Sequence, residues 1–188
     1  MKSLFLTLVV SALATAALAA PAPVKKTNLL VNGSFEEGPP VGNWLSLNPG
    51  STDIKGWEVT RGQIDLVGNY WPAAQGNRSL DLHGSPGLGG VKQSFETRPG
   101  RTYVVSFSLA ANPDGAEKKK TIGVSAAGMT GEFTADATNR TNKDVGWQKT
   151  TWKFTAAEKK TTIEFYTLMK SDESCGPLLD DVSVLEMD

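Results

Sequence analysis

Two short segments decide the fold of this chain: Asn28-Leu-Leu-Val-Asn-Gly-Ser-Phe-Glu36 near its start and Gly176-Pro-Leu-Leu-Asp-Asp-Val-Ser-Val-Leu-Glu186 at its end. Both are apolar runs of strand length that carry carboxylates. If the first and last strands of a β-sandwich lie side by side, these two segments pair with each other. Glu36 then comes close to Asp180 and Asp181.

Carboxylates gathered at one spot repel each other unless a cation lies between them. Oxygen ligands of this kind suit Ca²⁺. We therefore predict a structural Ca²⁺ between the two ends of the domain. A competing interpretation is that Asp180 simply accepts backbone hydrogen bonds at the end of its strand, since a buried carboxylate needs either partners or an ion.

The sequence between these segments has the pattern of an all-β protein. It contains 19 Gly and 10 Pro, and its apolar runs are short, alternating and separated by turn residues. No apolar repeat of three to four residues persists over a helix length. We predict an antiparallel β-sandwich of jelly-roll type, with strands at 28–35, 56–60, 63–67, 79–82, 90–96, 102–110, 121–125, 131–134, 147–155, 161–168 and 178–185.

Alternation within the predicted strands identifies the core. Tyr103, Val105, Phe107 and Leu109 share one face of their strand and are predicted to be buried. The run Lys118-Lys-Lys120 lies between strands and is predicted to be solvated. Further predicted core residues are Trp57, Trp147, Trp152, Phe154, Ile163 and Phe165.

The first residues predict export. Lys2 precedes an apolar run at 4–14, and Ala17-Leu-Ala19 matches a signal-peptidase site. We therefore predict a signal peptide at 1–19, a Pro- and Lys-bearing linker at 20–27, and one domain at 28–188. The apolar run is too short for a membrane span. The expected location is extracellular or periplasmic.

Charge and cysteine content narrow the function classes. Lys and Arg total 19 against 20 Asp and Glu, so no basic excess exists to hold a nucleic acid. Cys175 is the single cysteine, which excludes an intrachain disulfide. Two interpretations of Cys175 stay open: a small residue in the loop before the last strand, or a reactive thiol that pairs between chains.

An ordered set of motifs resembles a known family. The chain is similar to the choice-of-anchor C family, which is close to the plant cell-wall proteins called domain of unknown function 642. The resemblance covers essentially the whole chain after the linker and rests on Asn28 to Glu36, Gly56-Trp57, Ile64-Asp65, Ser79-Leu-Asp-Leu82, Gln93-Ser-Phe95, Ser106-Phe107 and Leu179-Asp-Asp-Val-Ser-Val184.

The resemblance implies a galactose-binding-like β-sandwich at an extracellular location, associated with polysaccharide and without catalysis. Relatives often carry a C-terminal sorting anchor, whereas this sequence stops at Asp188, so we expect a freely secreted or periplasmic protein. Related jelly-roll modules bind Ca²⁺ through positions that match the Ser34 carbonyl, Glu36 and Asp180. Alternation would turn Asp180 inward with Val182, and Asp181 outward, while Asp53 is a further candidate ligand.

Aromatic residues outside the predicted core indicate a glycan-binding surface. Sugars stack their C–H faces on aromatic rings while nearby polar groups bind their hydroxyls. Tyr70 and Trp71 lie in a turn-rich segment, and Trp44 lies in a predicted loop. Asn77 and Arg78 follow closely and complete the predicted ligand site. The alternative is that Trp71 folds over the sandwich edge as part of the core.

The sequence offers little for catalysis. His83 is the only histidine and lies in a Gly-rich loop, where we expect it to be exposed. No nucleophile elbow, zinc motif or phosphate loop is present. Two acids for glycoside hydrolysis could come from Glu36, Glu37, Asp65 and Asp81.

We therefore expect a secreted, non-catalytic module that binds cell-wall or extracellular polysaccharide and contains a structural Ca²⁺. The first alternative is a matrix or cell-surface module that binds a protein and has no sugar site. The second is an envelope glycoside hydrolase. Fold alone does not choose between them.

Overall fold

A computed structural model describes residues 27–85, 87–170 and 174–187. The predicted signal peptide at 1–19, and the predicted linker apart from Thr27, lie outside the described residues. Within the described part of the chain, no helix is long and apolar enough to cross a membrane.

The described residues form eleven strands and no helix. Their bounds agree closely with the alternating segments of the sequence, and one strand was not predicted. The strands are β1 (Trp44–Leu47), β2 (Glu58–Arg61), β3 (Ile64–Val67), β4 (Ser79–Asp81), β5 (Gly90–Glu96), β6 (Thr102–Ala111), β7 (Lys119–Ala126), β8 (Met129–Asp136), β9 (Gln148–Thr155), β10 (Lys160–Thr167) and β11 (Pro177–Glu186).

The strands form two sheets. One sheet has six strands in the order β1-β3-β4-β11-β6-β9, and the other has five in the order β2-β5-β10-β7-β8. All the pairings between neighbouring strands are antiparallel. The predicted all-β sandwich is confirmed, and the last strand lies at the centre of the six-stranded sheet.

The core lies between the inner faces of the two sheets, as the alternation predicts. Tyr103, Val105, Phe107 and Leu109 of β6 are all buried. The Phe107 ring packs edge-to-face on Phe165 of the opposite sheet, with 5.2 Å between ring centroids. Trp57, Phe154 and Ile163 are buried as predicted, whereas Trp147 and Trp152 are only partly buried.

The segment 28–35 lies beside β11 as predicted, but it is not a strand. The Leu29 amide donates to the Val184 carbonyl at 3.0 Å, and the Val182 amide donates to the Gly33 carbonyl at 2.8 Å. Asn32 and Phe35 have left-handed φ values of 54° and 60°, which interrupt an extended conformation. The prediction of a regular first strand is therefore wrong, although the two ends of the domain do meet.

A β-bulge in β11 changes the predicted direction of Asp180. The register pairs Asp180 with Ser108 but Ser183 with Ser106, so one extra residue is inserted between them. Before the bulge Leu179 faces the main core, and after it Val182 and Val184 do. Asp180 therefore lies on the outer face of its sheet, and the prediction that it shares the inner face with Val182 is wrong.

Lys120 also departs from its prediction. It lies in β7 on the same face as Ile122 and Val124, and it is fully buried. Lys118 is exposed, and its ammonium group donates to the carbonyls of Pro113 and Gly115. The prediction that the whole lysine run is solvated is wrong because β7 begins two residues earlier than predicted, which places Lys120 within the strand.

Gly33 offers a test of how the N-terminal segment docks on β11. A Cβ atom at Gly33 would overlap the backbone carbonyl oxygen of Val182, so Gly33→Ala must shift one of the two segments. We expect Gly33→Ala to lower the free energy of unfolding by about 1–3 kcal/mol, measured by chemical denaturation. The matched control is Gly42→Ala, because a Cβ atom there meets nothing within 4 Å. Equal stability of the two variants would contradict the docking.

Candidate functional site

Three neighbouring strands present polar and aromatic side chains on the outer face of the six-stranded sheet. Leu47, Ile64, Leu66 and Leu80 fill the core, so the alternate positions point outward. The register pairs Trp44 with Val67 and Ser46 with Asp65. It also pairs Asp65 with Asp81 and Val67 with Ser79. Trp44 is the first residue of β1, so its predicted position in a loop is wrong.

A second, smaller core lies on this outer face beneath the segments that follow β3 and precede β9. It contains Val67, Trp71, Ala110, Val145 and Leu178. Trp71 is 5% exposed, and its indole N–H donates to the Ser79 hydroxyl at 2.9 Å. Most of the Trp71 ring is therefore buried, as expected from the alternative interpretation in which Trp71 packs over the sandwich edge.

Tyr70 joins Trp71 to an exposed tryptophan. Its ring packs edge-to-face on Trp44 at 5.2 Å and on Trp71 at 5.3 Å between centroids. Trp44 is 53% exposed, the largest exposed fraction among the large apolar side chains of the described residues. Edge-to-face packing holds the Trp44 ring in place and leaves much of its surface open to solvent.

These aromatic residues border a cleft of about 310 Å³, a size typical of small-molecule sites. The cleft lies over the outward residues of β1, β3 and β4, and the segments after β6 and before β11 close its far side. Its lining combines Trp44, Tyr70 and Trp71 with the polar side chains of Ser46, Gln63, Asp65, Asp81, Ser85, Asn112, Asp114, Ser174 and Cys175.

Asp81 forms the buried floor of the cleft. Its Oδ1 atom accepts hydrogen bonds from the amides of His83 and Gly176, each at 3.0 Å. Its Oδ2 atom accepts one from the Asn112 side-chain amide at 2.7 Å. Burial nevertheless raises the pKa of Asp81 to about 7, and the nearby charge of Asp65 adds to the rise, against the lowering effect of its hydrogen bonds.

Asp65 and Asp114 are half-buried carboxylates at the walls of the cleft. Asp65 accepts a hydrogen bond from the Ser46 hydroxyl at 2.6 Å. Burial raises the pKa of Asp65, and this hydrogen bond opposes the rise. Asp114 accepts a hydrogen bond from the Tyr70 hydroxyl at 2.8 Å, which raises the pKa of that phenol. Tyr70 and Asp114 are thus joined by a direct hydrogen bond.

The structure brings together only some of the predicted ligand residues. Trp44, Tyr70 and Trp71 border the cleft, but Asn77 lines a neighbouring groove of about 580 Å³ that shares Tyr70 and Trp71 with it. Arg78 is half-buried and lines neither of these two hollows. A Cβ atom added at Gly38 would lie 3.5 Å from Arg78 Nη1, so the Arg78 guanidinium extends toward the segment around Gly38.

Two of the three predicted metal ligands, Glu36 and Asp180, hold the loop before β4. Glu36 Oε1 accepts hydrogen bonds from the amides of Asn77 and Arg78, each at 2.8 Å. Asp180 Oδ2 accepts one from the Gln75 amide at 2.8 Å, and its Oδ1 accepts one from the Asp181 amide at 2.6 Å. Asp180 is fully buried, and burial raises its pKa to about 7.

The other predicted carboxylates point elsewhere. Asp181 faces outward as predicted and forms an ion pair with Lys149 at 2.6 Å. Asp53 is exposed and accepts a hydrogen bond from the Ser51 hydroxyl at 3.0 Å. Among the described residues, no group of three or more His, Cys, Asp or Glu side chains could hold a metal ion. A Ca²⁺ bound by Ser34, Glu36 and Asp180 stays a prediction.

His83 and Cys175 flank the floor of the cleft. His83 is fully buried, so the prediction of an exposed loop histidine is wrong. A Cβ atom at Gly176 would lie 2.7 Å from Asp81 Oδ1, so a glycine is needed where this segment passes the carboxylate. Cys175 lies in the segment just before β11 as predicted, is half-buried and lines the cleft.

Sequence reasoning did not assign Asp65, Asp81, Asn112 and Asp114 to the ligand site. A partial signal existed in Ile64-Asp-Leu-Val67 and Ser79-Leu-Asp-Leu82. In each segment the carboxylate lies on one face of the strand and the two apolar residues beside it lie on the other face. Such a pattern indicates that the carboxylates point away from the core. It does not show that β3 and β4 are neighbours, which is what brings Asp65 and Asp81 together.

Comparison with known proteins identifies the family. A family model described as "Protein of unknown function (DUF642)" matches residues 28–185. The chain belongs to the DUF642 family. The domain of unknown function 642 part of the resemblance is thereby confirmed, whereas the choice-of-anchor C part stays a prediction.

This DUF642 chain is similar to parts of larger proteins. It is 30% identical over 168 residues to Halomucin of Haloquadratum walsbyi, covering 86% of this chain and 2% of that protein. It is 26% identical over 191 residues to Protein DUF642 L-galactono-1,4-lactone-responsive gene 2 of Arabidopsis thaliana, covering 89% of this chain and 48% of that protein. The chain thus spans about half the length or less of these curated relatives.

Among solved structures, the DUF642 chain is similar to a protein described as "Family 16 Carbohydrate Binding Module-2". The TM-score is 0.51 with 16% sequence identity, over 84% of this chain and 99% of that one. At this identity the likeness concerns the fold. The DUF642 chain therefore has the sandwich fold of a carbohydrate-binding module.

Asp81 makes the stability of the DUF642 chain depend on pH. Its pKa of about 7 in the folded protein lies above the ordinary value of 3.8. The folded state therefore retains a proton that the unfolded state loses between these values, and stability falls as pH rises through this window. We expect Asp81→Asn to make the slope between about pH 5 and 7 shallower by up to about 1.4 kcal/mol per pH unit.

The measurement is urea denaturation at a series of pH values. The matched control is Asp136→Asn, since Asp136 is exposed and its hydrogen bonds with Thr138 lower its pKa. Asp136→Asn should leave the slope in this window unchanged. An unchanged slope in Asp81→Asn would show that Asp81 is ionised throughout.

Proposed function

We propose that this protein is a non-catalytic module that binds extracellular polysaccharide through the cleft beside Trp44 and Tyr70. The observation that carries the proposal is the exposed face of Trp44, held by Tyr70 at the edge of a cleft of about 310 Å³ with polar walls. An exposed tryptophan offers a flat apolar surface to the C–H face of a sugar ring.

The polar side chains of the cleft suit sugar hydroxyls. Asp65 and Asp114 each have acceptor capacity beyond their bonds to Ser46 and Tyr70, because a carboxylate offers about four lone-pair sites. Gln63 on the cleft wall adds an amide, which both donates and accepts. A few placed polar groups around an apolar surface fix the orientation of a ligand and supply specificity.

The family and the fold support this proposal. The chain belongs to the DUF642 family and has the sandwich fold of a carbohydrate-binding module. The Lys2-led apolar segment and the Ala17-Leu-Ala19 site support export, so we place the protein outside the cell or in the periplasm. A cell-wall or matrix polysaccharide is the partner that this location provides.

The arrangement of Asp81 favours binding over hydrolysis. Both of its oxygens already accept hydrogen bonds from His83, Gly176 and Asn112, and its side chain is buried. A general acid must reach the glycosidic oxygen, whereas this carboxylate is enclosed by its own donors. We therefore assign Asp81 to the support of the cleft rather than to acid catalysis beside Asp65.

Convergent polar groups also favour a glycan over a protein partner for this surface. A protein-binding patch would present a flat apolar area with few polar groups at its centre. Here three carboxylates, an Asn and a Gln line the same cleft as Trp44 and Tyr70. The matrix or protein-interaction alternative finds no comparable support at this face.

A structural Ca²⁺ at Glu36 and Asp180 is the second part of the proposal. Asp180 is buried with a raised pKa, and no described Lys or Arg forms an ion pair with it. A buried carboxylate without a cationic partner is what a bound cation would stabilise. Glu36 contacts the same loop, and the Ser34 carbonyl is the third proposed ligand. The ion would neutralise charge and hold the two ends of the domain together.

Trp44→Ala tests the proposed sugar site. We expect this change to abolish or weaken at least tenfold the binding of the mature chain to polysaccharides on a glycan array, followed by calorimetry on each hit. The reason is the loss of the most exposed ring among the described cleft residues. Stability should be nearly unchanged, because more than half of the side chain is already in solvent.

The matched control for Trp44→Ala is Met129→Ala, an exposed apolar side chain on β8 of the other sheet. Trp71→Ala would be a poorer test because Trp71 belongs to the second core and its loss would disturb the fold. Glycan binding that survives Trp44→Ala would move the site away from this cleft. The absence of binding across a broad array would contradict the proposed function.

Calcium removal tests the second part. We expect excess Ca²⁺ to stabilise the protein by about 3 kcal/mol relative to a chelator when Ca²⁺ is at 100 times its Kd, measured by thermal unfolding. Glu36→Gln should remove most of this difference. The control is Glu37→Gln, which changes the adjacent exposed carboxylate that pairs with Lys55. Identical melting in Ca²⁺ and chelator would exclude a structural Ca²⁺.

A further inference from the structure

The cleft carries an unbalanced negative charge. The carboxylates that line its walls are Asp65 and Asp114, while Asp81 at the floor retains a proton in mildly acidic solution because its pKa is about 7. No described Lys, Arg or His side chain is among the lining residues. The groove on the other side of Tyr70 differs, since it is lined by Asn69, Asn77, Asn142 and Lys143 and by no carboxylate from the described residues. The negative charge is therefore local to the cleft.

The partners of the three carboxylates are neutral. Ser46 donates to Asp65, Asn112 to Asp81 and Tyr70 to Asp114. The ion pairs recorded among the described residues involve other acids, including Glu37, Glu58, Glu164 and Glu186. Asp65 and Asp114 are half-buried and so present their charge to the cleft. A narrow cleft lined by one sign of charge concentrates ligands of the opposite sign.

The aromatic border of the cleft adds to the attraction for a cation. The faces of Trp and Tyr rings carry negative electrostatic potential and attract ammonium groups within about 6 Å. The hydrogen bond from the Tyr70 hydroxyl to Asp114 places a carboxylate beside the ring. Trp44, which packs on Tyr70, offers its exposed face at the same border.

We propose that the ligand of this cleft is a glycan with free amino groups, such as a polymer of 2-amino-2-deoxyhexose, whose ammonium group binds between Asp65 and Asp114 against the Trp44 and Tyr70 rings. This inference rests on the proposed sugar-binding function and names its ligand class. The sugar ring stacks on Trp44, and the ammonium group supplies the positive charge that the described lining of the cleft lacks. Uronic acid polymers are repelled by the same carboxylates.

The test compares oligomers that differ at one position of the sugar. β-1,4-linked oligomers of glucose, N-acetylglucosamine and glucosamine share a backbone and carry hydroxyl, acetamido or ammonium at C2. An oligogalacturonate of equal length supplies the opposite charge. Calorimetry in a mildly acidic, low-salt buffer keeps the amines protonated. We expect the glucosamine oligomer to bind at least tenfold more tightly than the glucose oligomer, and the oligogalacturonate not to bind.

Charge-removing variants locate the effect. Asp65→Asn and Asp114→Asn should each reduce the affinity for the glucosamine oligomer at least threefold more than they reduce the affinity for the glucose oligomer. Asp136→Asn removes the same charge from the exposed end of β8 and should change neither. If the cleft variants lose stability, the salt dependence of the wild-type protein replaces them, because added salt should weaken binding of the ammonium-bearing oligomer alone.

The outcomes separate this inference from the function on which it rests. Tighter binding of a neutral or acidic oligomer, lost in Trp44→Ala, would overturn the amino-glycan assignment and leave a sugar site in the cleft. The amino-glycan assignment would also be overturned if Asp136→Asn weakened binding of the glucosamine oligomer as much as Asp65→Asn does. Equal effects would mean that the oligomer is attracted by the overall charge of the protein and not by the cleft. Failure of all the oligomers and of the wider array to bind would overturn both proposals.

Discussion

The buried carboxylate of Asp81 is the contact on which the candidate site depends. Its three hydrogen bonds come from His83 just after β4, from Asn112 just after β6 and from Gly176 just before β11. The segments after β4, after β6 and before β11 lie far apart in the sequence. Removal of such a group would leave several buried donors without partners, which costs more than the bonds themselves contribute. The floor and the far wall of the cleft are thus fixed together through one side chain.

Two other carboxylates hold the opposite border. The loop between β3 and β4 carries Tyr70 and Trp71, and it is anchored further along by Asp180 and Glu36, which accept its backbone amides. The Trp147 indole N–H adds a hydrogen bond to the Pro72 carbonyl at 2.9 Å. One carboxylate from each end of the domain therefore positions the loop that carries the aromatic border of the cleft.

Much of the fold could be predicted from the sequence, because alternation and turn residues are local signals. The bounds of β5 were correct, and β6 and β11 were correct to within one residue at each end. The errors arose where backbone geometry overrides alternation. Left-handed residues prevent a strand at 28–35, and the bulge in β11 turns Asp180 to the opposite face. No residue type is diagnostic of a bulge, so the effect of this bulge on the direction of the Asp180 side chain could not be predicted.

The candidate site was predictable only in part for a related reason. Tyr70 and Trp71 could be found because aromatic residues after a strand are conspicuous in sequence, although the burial of Trp71 depends on a second core assembled from distant segments. Asp65 and Asp81 were visible as polar positions of their strands. Their meeting depends on the strand order β1-β3-β4-β11, which no local pattern specifies.

The charge of the whole chain differs from the charge of the cleft. The whole sequence is nearly balanced, with a formal net charge of −1, and this balance argues against a polyanionic partner without indicating a cationic one. The fold breaks the balance locally, because several lysines and arginines of the described residues pair with acids elsewhere while Asp65 and Asp114 face the cleft. A ligand responds to the field at the surface it touches, which decays within about 10 Å at ordinary salt. The chemistry of the partner must therefore be inferred from the cleft rather than from the composition.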